Sequence, residues 1–71
     1  MAESVYKFIE LVGTSAESWE KAASAAVAQA GKSIRDLRVG EISQLDVALE
    51  GGTVKSYRAK VKLSFKVENP G

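Results

Sequence analysis

The sequence has 71 residues, a net charge of +1, no cysteine and no histidine. A chain of this length forms one domain, here 1–71, and its 45% apolar and 27% charged residues are typical of a globular protein. The missing residue types exclude disulfides, thiolate metal sites, thiol nucleophiles and the commonest general base. The small net charge argues against recruitment of nucleic acid. We therefore expect a protein that is not an enzyme and has no nucleic-acid partner.

The same numbers bear on location and assembly. No apolar run approaches the roughly 20 residues of a bilayer span, and Met1–Lys7 has no signal-peptide pattern, so we expect a soluble cytoplasmic domain without a membrane partner. A chain this short buries little surface, and small folds gain stability from disulfides, a metal or partner chains. Because disulfides are excluded, self-association is expected, with or without a metal.

The first half of the chain predicts a strand and then a helix. Residues 5–12, VYKFIELV, are rich in β-branched and aromatic residues and predict the strand. Thr14 or Ser15 is predicted to cap a helix over 16–30, and Gly31 is predicted to end it.

The helix has an unusual composition, with six alanines between residues 22 and 30 and little side-chain bulk. Small residues let the helix backbone approach a sheet or another helix closely. A helix that is small and apolar all round indicates burial on more than one side, which again favours an oligomer. One face is predicted to hold Trp19, Ala23, Ala26 and Ala30.

The second half predicts two strands, 38–50 and 54–67, joined by a hairpin at Gly51 and Gly52. The order is β-α-β-β, an α+β fold. The last strand alternates between an apolar face and a basic face. A nucleic-acid stacking platform needs aromatic and cationic residues on one face, so the basic row is interpreted as solvated, partner-facing or anion-facing. That row holds Arg58, Lys60, Lys62, Ser64 and Lys66.

The hairpin register decides which side chains meet. A two-residue loop pairs Glu50 with Thr53, whereas a three-residue loop pairs Glu50 with Val54 and sets Asp46 across from Arg58. The three-residue loop sorts the two faces better and is the predicted register. It places Val39, Leu45 and Val47 beside Phe65, Ala59 and Tyr57.

The middle of the second strand fits this register poorly. Ile42 falls on the polar face, while Glu41 and Ser43 fall on the apolar face. A β-bulge, one extra residue in one strand of a pair, would remove the conflict.

Three features stand out in this order of elements: VYKFIELVGTS at 5–15, the alanine-rich helix, and the spacing of Lys62, Phe65 and Glu68. Through them the chain resembles the dodecins over nearly its whole length. It implies a small flavin-binding protein in which each chain wraps a three-stranded antiparallel sheet on one helix. Twelve identical chains form a hollow shell, so the resemblance implies a homododecamer.

Two positions depart from the family pattern. Flavin-binding dodecins carry a stacking tryptophan at the start of the second strand, where this chain has Val39 within RVGEI. The glutamine that hydrogen-bonds the flavin edge corresponds to Arg58. Valine has no π-face, and stacking is worth about 1–3 kcal/mol per base-like ring. Flavin binding is therefore not expected, although a shell that binds riboflavin or FMN by other means stays the alternative. Trp19, on the helix, is interpreted as a packing anchor at a chain interface.

The chain is more similar to a branch of the family that lacks this tryptophan and is described as calcium-binding. The similarity lies in GTS..SWE at 13–20, RV at 38–39 and YR.K...SFK at 57–66. It implies a storage shell that takes up calcium. A further hypothesis, an inert assembly that binds no ligand, also stays open.

Calcium needs several oxygen ligands, and the chain has no EF-hand spacing, so a site would have to be assembled between chains. The predicted metal ligands are Asp46, Glu41 and Glu10, with Glu50 as a further strand carboxylate. Each acid has a simpler interpretation as half of an ion pair: Asp46 with Arg58, and the others with lysines of the third strand. A twelve-chain shell brings symmetric copies of one acid together, so one carboxylate per chain suffices.

One conflict remains at the sequence level. The predicted register puts Val39 and Arg58 on opposite faces, whereas the resemblance places both around one ligand. A bulge, a contribution from a neighbouring chain, or the two-residue loop would each resolve it.

Overall fold

The structure is a computed structural model that describes residues 3–67. The chain runs through β1 (Tyr6–Ser15), α1 (Trp19–Gly31), β2 (Leu37–Glu50) and β3 (Thr53–Lys66). The strands form one antiparallel sheet in the order β1-β3-β2. The predicted β-α-β-β fold is confirmed. Glu68, one of the residues that carry the family resemblance, lies outside the described residues.

The helix begins later than predicted. Ser18 is the N-cap, and its hydroxyl accepts a hydrogen bond from the backbone N–H of Lys21 at 3.1 Å. The prediction that Thr14 or Ser15 caps the helix is wrong, because both residues belong to β1 and pair with β3. The Ser15 hydroxyl instead accepts from the N–H of Glu17 at 3.0 Å and shapes the turn into the helix.

The helix packs very closely on β1. A β-carbon at Gly13 would overlap the carbonyl oxygen of Ala22 and lie 3.2 Å from the β-carbon of Ala26. Only glycine fits there, and the small residues of α1 allow this approach, as predicted. The buried stripe is rotated slightly from the predicted one, since Ala22 is buried and Ala23 is half-buried. The core consists of Ala22, Ala26, Ala30, Ala59, Val61 and Leu63.

The hairpin loop has two residues. Glu50 pairs with Thr53, and the φ angles of Gly51 and Gly52 are 59° and 81°. Positive φ at both central residues is what a type I′ turn requires, and glycine adopts it without strain. The predicted three-residue loop is therefore wrong.

A bulge next to the turn nevertheless produces the pairs that the three-residue loop predicted. Lys55 is an extra residue on β3, between the pairs Leu49–Val54 and Ala48–Ser56. Beyond it the ladder shifts by one residue. Asp46 then pairs with Arg58, Val47 with Tyr57, and Leu45 with Ala59.

The predicted bulge in β2 is confirmed. Ser43 is unpaired between Ile42 and Gln44, and its hydroxyl donates to the carbonyl oxygen of Lys60 at 3.3 Å. Arg38 is a second extra residue, nearer the start of the strand. As a result Val39 pairs with Ser64, and its predicted pairing with Phe65 is wrong.

The chain is long and thin, with extents of 55 × 20 × 14 Å and a radius of gyration of 14.9 Å. A compact domain of this length has a radius of gyration of about 11 Å. Its accessible surface of 5330 Å² exceeds the roughly 4300 Å² typical of a folded monomer of this mass. Among residues 3–67, no helix is both long enough and apolar enough to cross a membrane.

Candidate functional site on the outer face of the sheet

The predicted site residues all belong to the side of the sheet that faces away from α1, which we call the outer face. Residues paired directly across antiparallel strands share a face. Each residue of β3 on the outer face therefore lies between one residue of β1 and one of β2. These rows are Phe8–Ser64–Val39, Glu10–Lys62–Glu41, Val12–Lys60–Gln44 and Thr14–Arg58–Asp46.

Val39 and Arg58 lie on the same face, because the bulge at Ser43 reverses the faces of the residues that precede it. This resolves the conflict between the predicted register and the shared ligand. The two residues are three rows apart, which is about 20 Å along a strand. One ring system cannot contact both within a single chain. Any ligand shared by the two positions would need Val39 of one chain and Arg58 of another.

Val39 itself is an exposed apolar side chain, with 61% of its surface accessible. Its backbone carbonyl accepts a hydrogen bond from the hydroxyl of Ser64 at 3.4 Å. Phe8, at the other end of the row, is 63% accessible. In this row the small residue Ser64 therefore lies between the exposed apolar side chains of Phe8 and Val39.

Asp46 and Arg58 form a bidentate ion pair. Nε of Arg58 donates to Oδ1 of Asp46 at 2.7 Å, and Nη2 donates to Oδ2 at 3.3 Å. These hydrogen bonds, together with the positive charges of Arg58 and Lys60, lower the pKa of Asp46 below its ordinary value of 3.8, against a smaller opposing effect of desolvation. The same hydrogen bond and the charge of Asp46 raise the pKa of Arg58.

Trp19 connects the helix to this ion pair from the opposite side of the sheet. Its indole Nε1 donates to the backbone carbonyl of Asp46 at 3.0 Å. Its ring meets that of Tyr57 edge-on, with centroids 5.0 Å apart. Trp19 therefore cannot take over the stacking role at Val39. Sequence reasoning missed its link to Asp46, because the two residues are 27 positions apart and only the register brings them together.

Glu10 and Glu41 flank Lys62 from the two neighbouring strands. Neither carboxylate lies within 4.0 Å of a lysine or arginine nitrogen in the part of the chain that the structure describes. The ammonium of Lys62 instead lies 5.4 Å from the ring centroid of Phe8, in cation–π geometry. The expected pairing of these acids with lysines is not formed in the single chain.

The three predicted metal ligands are not brought together. The row of Asp46 lies two rows, or about 14 Å, from the row of Glu10 and Glu41. Both carboxylate oxygens of Asp46 accept from Arg58. Residues 3–67 contain no group of three acidic side chains that could hold a metal ion. A single chain therefore does not supply the six to eight oxygens that calcium takes.

The sheet, its single helix and the pairing of the strands can be compared with known proteins. The family model for dodecin matches residues 5–68 of this chain. The chain belongs to the dodecin family.

Among curated dodecins, calcium dodecin of Mycobacterium tuberculosis is 44% identical over 64 residues, which is 90% of each chain. Dodecin of Thermus thermophilus is 39% identical over 64 residues, covering 90% of this chain and 93% of the other. The structure of Streptomyces coelicolor dodecin superposes with a TM-score of 0.89 at 32% identity, covering 97% of this chain and 99% of that one. The crystal structure of the calcium dodecin has a TM-score of 0.82 at 41% identity, over 96% and 97% of the two chains.

Proposed function

We propose that this dodecin is a non-enzymatic, cytoplasmic binding and storage shell of twelve copies that takes up metal ions, calcium first among them. Under this proposal the chain lacks the flavin-stacking site that is usual in the family. The observation that carries it is the outer face, where an exposed valine and an arginine tied to Asp46 occupy the positions that the family resemblance assigns to flavin.

The shape of the chain supports assembly. It is thinner than a compact domain, and it leaves many large apolar side chains accessible to solvent. Partner chains would cover such residues and supply the stability that a small core lacks. They include Val5, Val12, Ile42, Leu45, Leu49 and Val54.

Similarity to the mycobacterial protein supports calcium as the ion. That protein is called calcium dodecin, and its crystal structure is described as having a novel calcium-binding site. In this chain Asp46, Glu41 and Glu10 are the proposed ligands, with copies of an acid from several chains completing the oxygen set. Glu10 and Glu41 have no basic partner in the described chain, so their oxygens are available to such a site.

A riboflavin- or FMN-binding shell is the second candidate. One observation favours it: Phe8 shares a row with Val39 and is 63% accessible. The outer face therefore keeps one aromatic side chain in the row where the family tryptophan is replaced by valine.

Titration of the purified protein with calcium and with riboflavin separates these candidates. We expect calcium to raise the unfolding temperature by mass action, and EDTA to reverse the shift. No change with millimolar calcium would contradict the ion-binding proposal. Complete quenching of micromolar riboflavin at a fixed ratio to protein would establish the flavin candidate instead.

Two further measurements complete this test. A sizing column is expected to show a species near twelve chain masses, and a species near 7.6 kDa would contradict the shell. Val39→Trp combined with Arg58→Gln reinstates both family residues, so we expect it to quench riboflavin fluorescence. Val39→Leu with Arg58→Gln is the matched control, since leucine adds bulk without a π-face.

A further inference from the structure

Asp46 differs from Glu10 and Glu41, the other proposed ligands, because in this structure it already holds a cationic partner. The guanidinium of Arg58 contacts both carboxylate oxygens, at 2.7 and 3.3 Å. A metal ion bound to the same carboxylate needs at least one of these oxygens. The single chain therefore does not offer Asp46 as a free ligand.

We propose that Arg58 is a tethered competitor for any cation at Asp46, and that Trp19 senses the exchange. This inference rests on the proposed uptake of metal ions. Arg58 sits directly across the ladder from Asp46, so its guanidinium is held near the carboxylate by the backbone. A divalent ion at this carboxylate has to displace one of these hydrogen bonds or use a remaining lone pair beside the guanidinium, and in both cases the positive charge of Arg58 opposes it.

The strength of this competition is set by exposure. The side chains of Arg58 and Asp46 are 45% and 40% accessible, so the ion pair is a surface pair that contributes modestly. A divalent ion can therefore displace the guanidinium, at a cost to its affinity. Arginine at this position makes uptake at Asp46 weaker and dependent on ion concentration, as suits a shell that stores and releases its ion.

Trp19 gives the exchange an optical signal. Its indole donates to the backbone carbonyl of Asp46 at 3.0 Å and its ring meets Tyr57, the residue before Arg58. It is also the only tryptophan in the sequence. A rearrangement of Asp46 and Arg58 therefore changes the surroundings of the single indole.

The test is calorimetric titration of the assembled protein with calcium chloride, using four variants. Arg58→Gln removes the competitor, and we expect it to tighten calcium binding about twofold to fivefold, or 0.4–1 kcal/mol at 1.4 kcal/mol per tenfold. Arg58→Lys keeps the charge without the planar fork and is expected to fall between wild type and Arg58→Gln. Lys66→Gln is the matched control, since it removes one positive charge from the same face, four rows from Arg58 and two rows from Glu10 and Glu41. Asp46→Asn is expected to weaken binding and to abolish the calcium-induced change in tryptophan emission.

The outcomes distinguish this inference from the proposed function. If wild type binds calcium but Arg58→Gln gains no more affinity than Lys66→Gln, the competition is wrong and ion uptake stands. Unchanged binding by Asp46→Asn overturns the inference in the same way. If neither wild type nor Arg58→Gln binds calcium, both proposals fail. A sizing column run on each variant verifies that the assembly is unchanged.

Discussion

The two faces of the sheet differ in how much each side chain contributes to folding. On the helix side, Val61 and Leu63 are at most 2% accessible, and a glycine is needed where α1 meets β1. On the outer face, Val39 and Phe8 stay largely accessible and the ion pair of Asp46 with Arg58 is half-exposed. Residues that stabilise the fold and residues that are candidates for binding a ligand therefore lie on opposite faces of the sheet. The helix side determines whether the chain folds, and the outer face is free to vary with the ligand.

Leu63→Ala is the sharpest way to test this contrast. Truncating a fully buried leucine should cost about 2–5 kcal/mol of unfolding free energy, because a cavity remains in the core. Val39→Ala, on the exposed outer face, should stay within about 0.5 kcal/mol. Chemical denaturation of both variants measures the difference. Equal losses would mean that assembly buries the outer face as deeply as the core, and the contrast would collapse.

Gly13→Ala tests the close contact between α1 and β1. The added methyl would overlap a backbone oxygen, which cannot rotate away, so α1 must shift. We expect a loss of about 1–3 kcal/mol in the free energy of unfolding, measured by thermal denaturation. Gly31→Ala is the control: its nearest new contact would be 4.0 Å away, at Leu37. If both variants unfold alike, the two elements are not in close contact.

Trp19→Phe tests the link between the two faces. Phenylalanine keeps an aromatic contact with Tyr57 and loses the hydrogen bond to the carbonyl of Asp46. We expect a loss of about 0.5–1.5 kcal/mol, measured by circular dichroism during denaturation. Trp19→Leu removes both contacts and should lose more. Identical stabilities for the two variants would show that the hydrogen bond dominates.

The smallest effect is expected from acid. The pKa of Asp46 is lowered in the folded chain, so its pair with Arg58 stabilises the fold above the ordinary pKa of 3.8. This contribution is lost as the pH falls below 3.8 and through the lowered folded value. The difference in unfolding temperature between wild type and Asp46→Asn should therefore shrink in that window. A difference that stays constant down to the lowest pH measured would contradict the assignment.

The fold could be predicted because the patterns that specify its elements each lie within a short stretch of the sequence. The alternation of β3 and the alanine stripe of α1 are periodic patterns, and the Gly51–Gly52 pair marks the hairpin. The helix cap was misplaced by three or four residues, because several adjacent residues could cap and β1 runs further than its apolar pattern.

The site could be predicted only in part. The sequence allowed Asp46 to be either a metal ligand or the ion-pair partner of Arg58. In the single chain the ion pair forms, because the bulge at Lys55 shifts the ladder and sets the two residues opposite each other. The position of Trp19 against Asp46 depends on packing between segments far apart in sequence. Glu10, Glu41 and Asp46 remain predictions as metal ligands, since copies of the chain would have to meet before their oxygens converge.

The two extra residues in β2 have a consequence for how this chain can change over time. Between Arg38 and Ser43, four residues have an unpaired residue on either side. Deleting Ser43 would close the bulge and leave Ile42 paired with Val61 and Gln44 with Lys60, so the segment from Val39 to Ile42 would keep its faces. An extra residue at such a position is accommodated without moving the rows of the candidate site. This strand can therefore change its length during evolution while each neighbouring side chain keeps the face on which it lies.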